Sequence, residues 1–215
     1  MKHAIHLESS DGDLINAPIG DHPQKILDLC TGTGLWAIES ESSPSIAQRH
    51  SKITYQRLFV VADRYPSAQV AGIDLSPIQP SWTPFNVCFM VDDVEDDWVE
   101  SDKYNLIHMR HSCSYISDIK GFMKKCYAHL VPGGWCEFSD FDGYALCDDG
   151  SMPDDYPVNE VMALMHRVWA QTGNNTLVAS EHGKNFKDAG FTDVRCRIIK
   201  TPIGSWPKAC LDTLH

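Results

Sequence analysis

The residues of this chain best suited to chemistry stand just beyond short apolar runs. Asp74 follows residues 69–73, Asp93 follows Val87–Val91, and Arg110 and His111 follow residues 104–109. Ahead of them, the stretch KILDLCTGTGLWAIE joins an apolar run carrying Asp28 to the pair Gly32 and Gly34, and then to Leu35, Trp36 and Ile38. That spacing reads as strand, glycine turn, helix. Bare backbone at such a turn can approach a ligand closely, and the helix that follows offers free N–H groups and a positive dipole end. The unit suits an adenosine-bearing cofactor. A Gly-x-Gly turn followed by Ala37 also fits a dinucleotide fold, and many such turns bind nothing, so the residues beyond it must decide. His111 is a candidate general base, and Tyr115 or Asp140 could orient a substrate. The competing reading of His111 is a loop histidine bonded to backbone or water.

These residues need a scaffold that brings strand ends together. Apolar runs at 26–29, 69–73, 87–91, 104–109 and 135–138 alternate with helical or polar stretches, including amphipathic spacing over residues 119–130. Residues 131–134, Val-Pro-Gly-Gly, are read as the stop of that helix. Further helices are expected over 158–172 and 180–189, and a last strand over 194–200. The alternation predicts an α/β fold with a mostly parallel sheet, helices on both faces and ligands beyond the carboxyl ends of the strands. Residues 1–22 read as a polar leader and 23–215 as one domain. Asp74 lies about twice as far beyond the glycines as the roughly 20 residues usual in nucleotide folds. The polar, proline-bearing segment near 40–61 therefore reads as an insertion.

Composition narrows the function classes. A net charge of −11 opposes attraction to nucleic acid and to anionic membranes, so neither is expected as a partner. No apolar run is long enough to span a membrane, and the first residues lack the apolar core of a signal peptide. The expectation is a cytoplasmic protein. The eight cysteines show no Cys-x-x-Cys pair and no zinc-site spacing, so they read as reduced core thiols, with no metal expected. Trp82, Trp98 and Trp135 are read as core or rim packing, and His108 as a structural residue in an apolar strand.

The segments ILDLCTGTGLWAIE, VAGIDLSPIQPSW, VDDVEDDW, YNLIHMRHSCSYISD, LVPGGWCEFSDFDG and GSWPK occur in an order that resembles the class I S-adenosylmethionine-dependent methyltransferases. Within them they resemble the fungal subgroup of LaeA-like regulators and secondary-metabolite methyltransferases. The resemblance implies a Rossmann-like sheet and S-adenosyl-L-methionine as cofactor. Asp28, Thr31, Gly32 and Gly34 would cradle its methionine part, and Asp74 its ribose hydroxyls, with Leu75 alongside. Asp93 would meet the adenine amino group, with Val94 by the ring, and Met109 and Arg110 would flank the sulfonium. It implies methyl transfer to a small-molecule or peptide-derived acceptor. The alternatives are a nuclear regulator working through protein partners, or a shortened, inactive domain.

Beyond the insertion near 40–61, this chain is expected to lack part of a longer N-terminal region that the family carries over the cofactor, and it departs from the family pattern in two further places. Cys30 stands where the family usually has glycine, and the turn is expected to suffer some crowding there. The family sheet closes with an antiparallel seventh strand, whereas residues 207–215 show no strand pattern, so the sheet is expected to lack it. A nicotinamide-dependent oxidoreductase would keep the glycine turn and Asp74, but leaves VDDVEDDW and the PGGW segment unexplained.

Overall fold

The central strand β1 (Lys25–Leu29) is buried at every position but its first because it is covered on both faces and paired on both edges. Its neighbours are β2 (Gln69–Asp74) and β4 (Tyr104–Arg110), with β3 (Val87–Val91) and β5 (Leu130–Ser139) outside them. The order is β3-β2-β1-β4-β5 and every pairing is parallel. The computed structural model describes residues 14–38, 61–99, 101–141 and 143–200.

Strand alternation sorts the core into two layers. Leu27 and Leu29 pack with Ile73, Ile107, Met109 and Phe122, while Ile26 packs on the other side with Trp36, Val61, Val70 and Leu106. The first layer is covered by α3 (Ile119–Ala128) and, beyond it, α5 (His182–Asp188). The second is covered by the helical turns α1 (Leu35–Ile38) and α2 (Val61–Arg64) together with the segment following residue 13. That segment is fastened by polar contacts: Trp36 Nε1 donates to Leu14 O at 3.0 Å, and the Glu137 carboxylate accepts the Asn16 and Ala17 N–H groups at 2.8 Å each. A fourth helix, α4 (Pro157–Ala170), buries none of its residues fully.

The strands lie where the apolar runs predict them, with β2 and β4 each reaching one residue further, to Asp74 and Arg110. Three expectations are corrected. First, residues 131–134 do not merely stop a helix: α3 ends at Ala128 and the Pro-Gly-Gly stretch belongs to β5. The register there jumps from Tyr104↔Leu130 to Leu106↔Trp135, a bulge on an edge strand, where proline costs no ladder bond. Second, the helix expected over 180–189 is a 3-10 turn, Val178–Glu181, followed by α5. Third, residues 194–200 are irregular and Ile198 is 92% exposed. Their alternating pattern finds no neighbouring strand to pair with among the described residues, and pattern alone does not make a strand. Most of the insertion expected near 40–61 lies outside the described residues, as do residues 207–215.

Candidate functional site

The turn after β1 is built from three residues in left-handed conformation, Cys30 (φ 53°), Gly32 (φ 59°) and Gly34 (φ 76°). Such dihedrals cost little for glycine and more for a residue with a Cβ, which accounts for glycine being usual where Cys30 stands. The Cys30 side chain is half-buried against the core. Burial, and next the Asp74 charge, push its thiol from 9.0 up to about 12, so it is a packing group rather than a nucleophile. Backbone bonds close the turn: Thr31 N–H donates to Ile73 O at 2.9 Å and Gly34 N–H to Thr31 O at 3.1 Å.

Two carboxylates brace this turn from different strands. Asp28, 3% exposed, accepts the Thr31 hydroxyl on one oxygen and His108 Nδ1 at 2.7 Å on the other. His108 lies beside it because the register pairs the two residues across β1 and β4, and Trp36 stacks on the imidazole at 3.8 Å. Asp74 Oδ2 accepts the Gly32 N–H at 2.8 Å and Oδ1 the Ser76 N–H at 2.9 Å. Each oxygen of an ionised carboxylate has a further acceptor position, so Asp74 retains capacity for two hydroxyl donors. A Cβ at Gly32 would meet nothing within 4 Å, so the turn opens onto free space there.

The next strand end continues this edge. Asp92 N–H donates to Asp74 O at 3.1 Å, and Asp93 Oδ1 accepts the Glu95 N–H at 2.9 Å. Lys125, from α3, holds the loop by donating to the carbonyls of Val94, Glu95 and Asp96 at 2.8 to 2.9 Å. Leu75, beside Asp74, is 69% exposed. Val94 and Met109 have their side chains in the core, so a contact from either toward the cleft has to come from backbone.

On the other side of β1, Arg110 ends β4 and His111 takes φ 58°, donating its N–H to Ser139 O at 2.8 Å. The His111 ring stacks on Phe141 at 4.4 Å and 4°. Tyr115 is exposed, whereas Asp140 turns inward to His182 Nε2 at 3.0 Å and its side chain is only 7% exposed. Asp140 therefore does not face an acceptor. The turn braces Asp28–His108 and Asp74–Gly32, the Lys125 anchor and the Asp140–His182 pair all depend on register or loop path that spacing does not encode.

A five-stranded parallel sheet in this order, with its glycine turn and two carboxylates at adjoining strand ends, defines a Rossmann-like methyltransferase fold. The chain belongs to the family described as methyltransferase domain, whose model matches residues 6–195. It is 35% identical over 209 residues to methyltransferase pytC of Aspergillus terreus, covering 97% of this chain and 58% of that protein. It is 33% identical to the protein-methionine methyltransferase laeA of Emericella nidulans, over 90% of this chain and 46% of that one. The secondary metabolism regulator LAE1 of Cochliobolus heterostrophus is 30% identical over 95% of this chain and 62% of its own. The chain thus spans about half the length of these curated relatives or slightly more. Among solved structures, a Haemonchus contortus phosphoethanolamine N-methyltransferase 2 bound to phosphomonomethylethanolamine and S-adenosylhomocysteine shares the fold. Its TM-score is 0.54 at 16% identity, over 89% of this chain and 37% of that one.

Proposed function

We propose that this chain binds S-adenosylmethionine across the ends of β1, β2 and β3 and transfers its methyl group to a small-molecule or peptide-derived acceptor of fungal secondary metabolism. The observation that carries the reading is Asp74, which braces the glycine turn through Gly32 and keeps acceptor capacity toward open space. An ionised carboxylate is a strong acceptor for paired hydroxyls, and Asp74 suits the ribose. Thr31 to Gly34 would meet the amino-acid portion, with Asp28 holding the turn from beneath. Leu75 offers an apolar face to the adenine and Asp93 an acceptor for its amino group. Arg110 and the Met109 backbone border the reacting end, and His111 is the nearest candidate to receive an acceptor's proton.

When bound, the cofactor supplies an electrophilic methyl carbon on a sulfonium, which an acceptor lone pair takes as the carbon–sulfur bond breaks. The chain's own contribution is alignment of the two reactants, which alone supplies much of the rate. A second reading, regulation of secondary metabolism through protein partners, is favoured by the relatives named as regulators.

Calorimetric titration with S-adenosylmethionine tests the proposal. One saturable site is expected, weakened about 100-fold or more by Asp74→Ala, since both ribose bonds and the Gly32 brace are lost. Circular dichroism separates this from unfolding. A folded wild-type protein with no saturable site would overturn the cofactor reading and favour the regulatory one.

A further inference from the structure

We propose that Cys113, Asp140 and His182 form a binding site for one divalent cation of the zinc class, which clamps the two loops on the acceptor side of the cleft to α5. The three residues come from separate places: Cys113 from the 3-10 turn after β4, Asp140 from the position after β5, and His182 from the first residue of α5. Their ligand atoms, Sγ, a carboxylate oxygen and an imidazole nitrogen, all lie within 4.8 Å of one another. Cys113 is 1% exposed, and the Asp140 and His182 side chains 7% and 10%.

A thiol, an imidazole and a carboxylate in one small volume is a donor set for zinc or a neighbouring d-block ion; magnesium and calcium take oxygen ligands. Zinc bonds of about 2.0 to 2.3 Å at tetrahedral angles separate ligand atoms by roughly 3.5 Å. The His182–Asp140 distance of 3.0 Å would open by a few tenths of an ångström, and a pair at the 4.8 Å limit would close by about 1.3 Å. Three protein ligands leave a fourth position for water.

His182 Nδ1 has no hydrogen-bond partner among the described residues, so the partner that usually orients a ligating histidine would be a water. The site uses none of the residues assigned to the cofactor, so its test does not depend on that assignment.

The experiment is a titration of chelator-treated full chain with zinc against a chromophoric competitor, with cobalt as the spectroscopic probe. One equivalent is expected to bind, with tetrahedral cobalt absorption and a thiolate-to-cobalt band. Cys113→Ser should abolish that band, and Asp140→Asn and His182→Gln should each weaken zinc binding about 10-fold or more. The melting temperature of the wild-type chain should rise with zinc and fall back with chelator. Absence of stoichiometric binding would overturn the site. So would binding that survives both Cys113→Ser and His182→Gln, since eight cysteines and ten histidines offer other ligands. If Cys113→Ser does not fold, X-ray absorption of the zinc-loaded wild type decides: one sulfur among the ligands supports the site, and none or several overturns it.

Discussion

At the scale of single residues, the turn depends on what surrounds its glycines. Phe89 on β3 crowds Gly34 of the turn and Gly72 of β2: a Cβ at Gly72 would come within 2.6 Å of the ring, and one at Gly34 within 2.5 Å. Gly34 is also left-handed, so two costs mix there, whereas Gly72 has only the steric one. Gly72→Ala should therefore destabilise the chain by about 1 to 3 kcal/mol through overpacking. Phe89→Leu in the same chain should recover part of that loss, and urea unfolding of the two single variants and the double measures the coupling. Strictly additive effects would show that the ring is not the obstacle. The glycine spacing was legible in the sequence, but Phe89 was not, because it reaches Gly34 only through the pairing of β3 with β2. The burial of Val94 and Met109 escaped for a related reason: a residue at a strand end belongs to core or cleft according to strand parity, which spacing leaves open.

Among the elements, α3 determines whether the loop after β3 is a site or a loose end. Its N-cap Asp118 accepts the Gly121 N–H at 3.0 Å, and the amphipathic face buries Phe122, Met123 and Cys126 on the sheet. That docking carries Lys125 to the three loop carbonyls, with its ammonium 5.2 Å from the Trp98 ring and 5.3 Å from Phe122. Lys125→Met keeps most of the apolar stem and removes the donors. Loss of bonds from a charged donor should cost about 2 kcal/mol of stability. It should also weaken S-adenosylmethionine binding, because Asp93 stands in that loop. A variant with reduced stability but unchanged affinity would separate Lys125 from the cofactor site. The helix was legible from its period, while the role of Lys125 was not: a lysine on a helix of mixed polarity reads as solvated until the loop it caps is in view. The same limit explains β5, whose Pro-Gly-Gly start reads as a helix stop because a bulge on an edge strand uses the same residues.

The whole molecule combines a strongly acidic surface with a core containing several thiols, and the two meet in its response to alkaline pH. Burial raises the Cys30 thiol to about 12 and holds those of Cys136 and, beside the edge, the Tyr104 phenol above their ordinary values of 9.0 and 10.0. The native state therefore keeps these protons at a pH where the unfolded chain sheds them. Below about pH 9 both states are protonated and the groups contribute no slope. Above it the unfolded chain releases protons first, and stability falls as pH climbs toward about 12, by at most about 1.4 kcal/mol per pH unit for each thiol. The net charge of −11 at pH 7 supplies a repulsive background to this titration. Urea midpoints measured from pH 7 to 10.5 should be level at first and then decline. Cys30→Ser with Cys136→Ala should flatten the decline while leaving its onset near pH 9, which the buried Cys113 thiol still sets. An equally steep decline in that double variant would assign the alkaline instability to surface charge instead of the buried thiols.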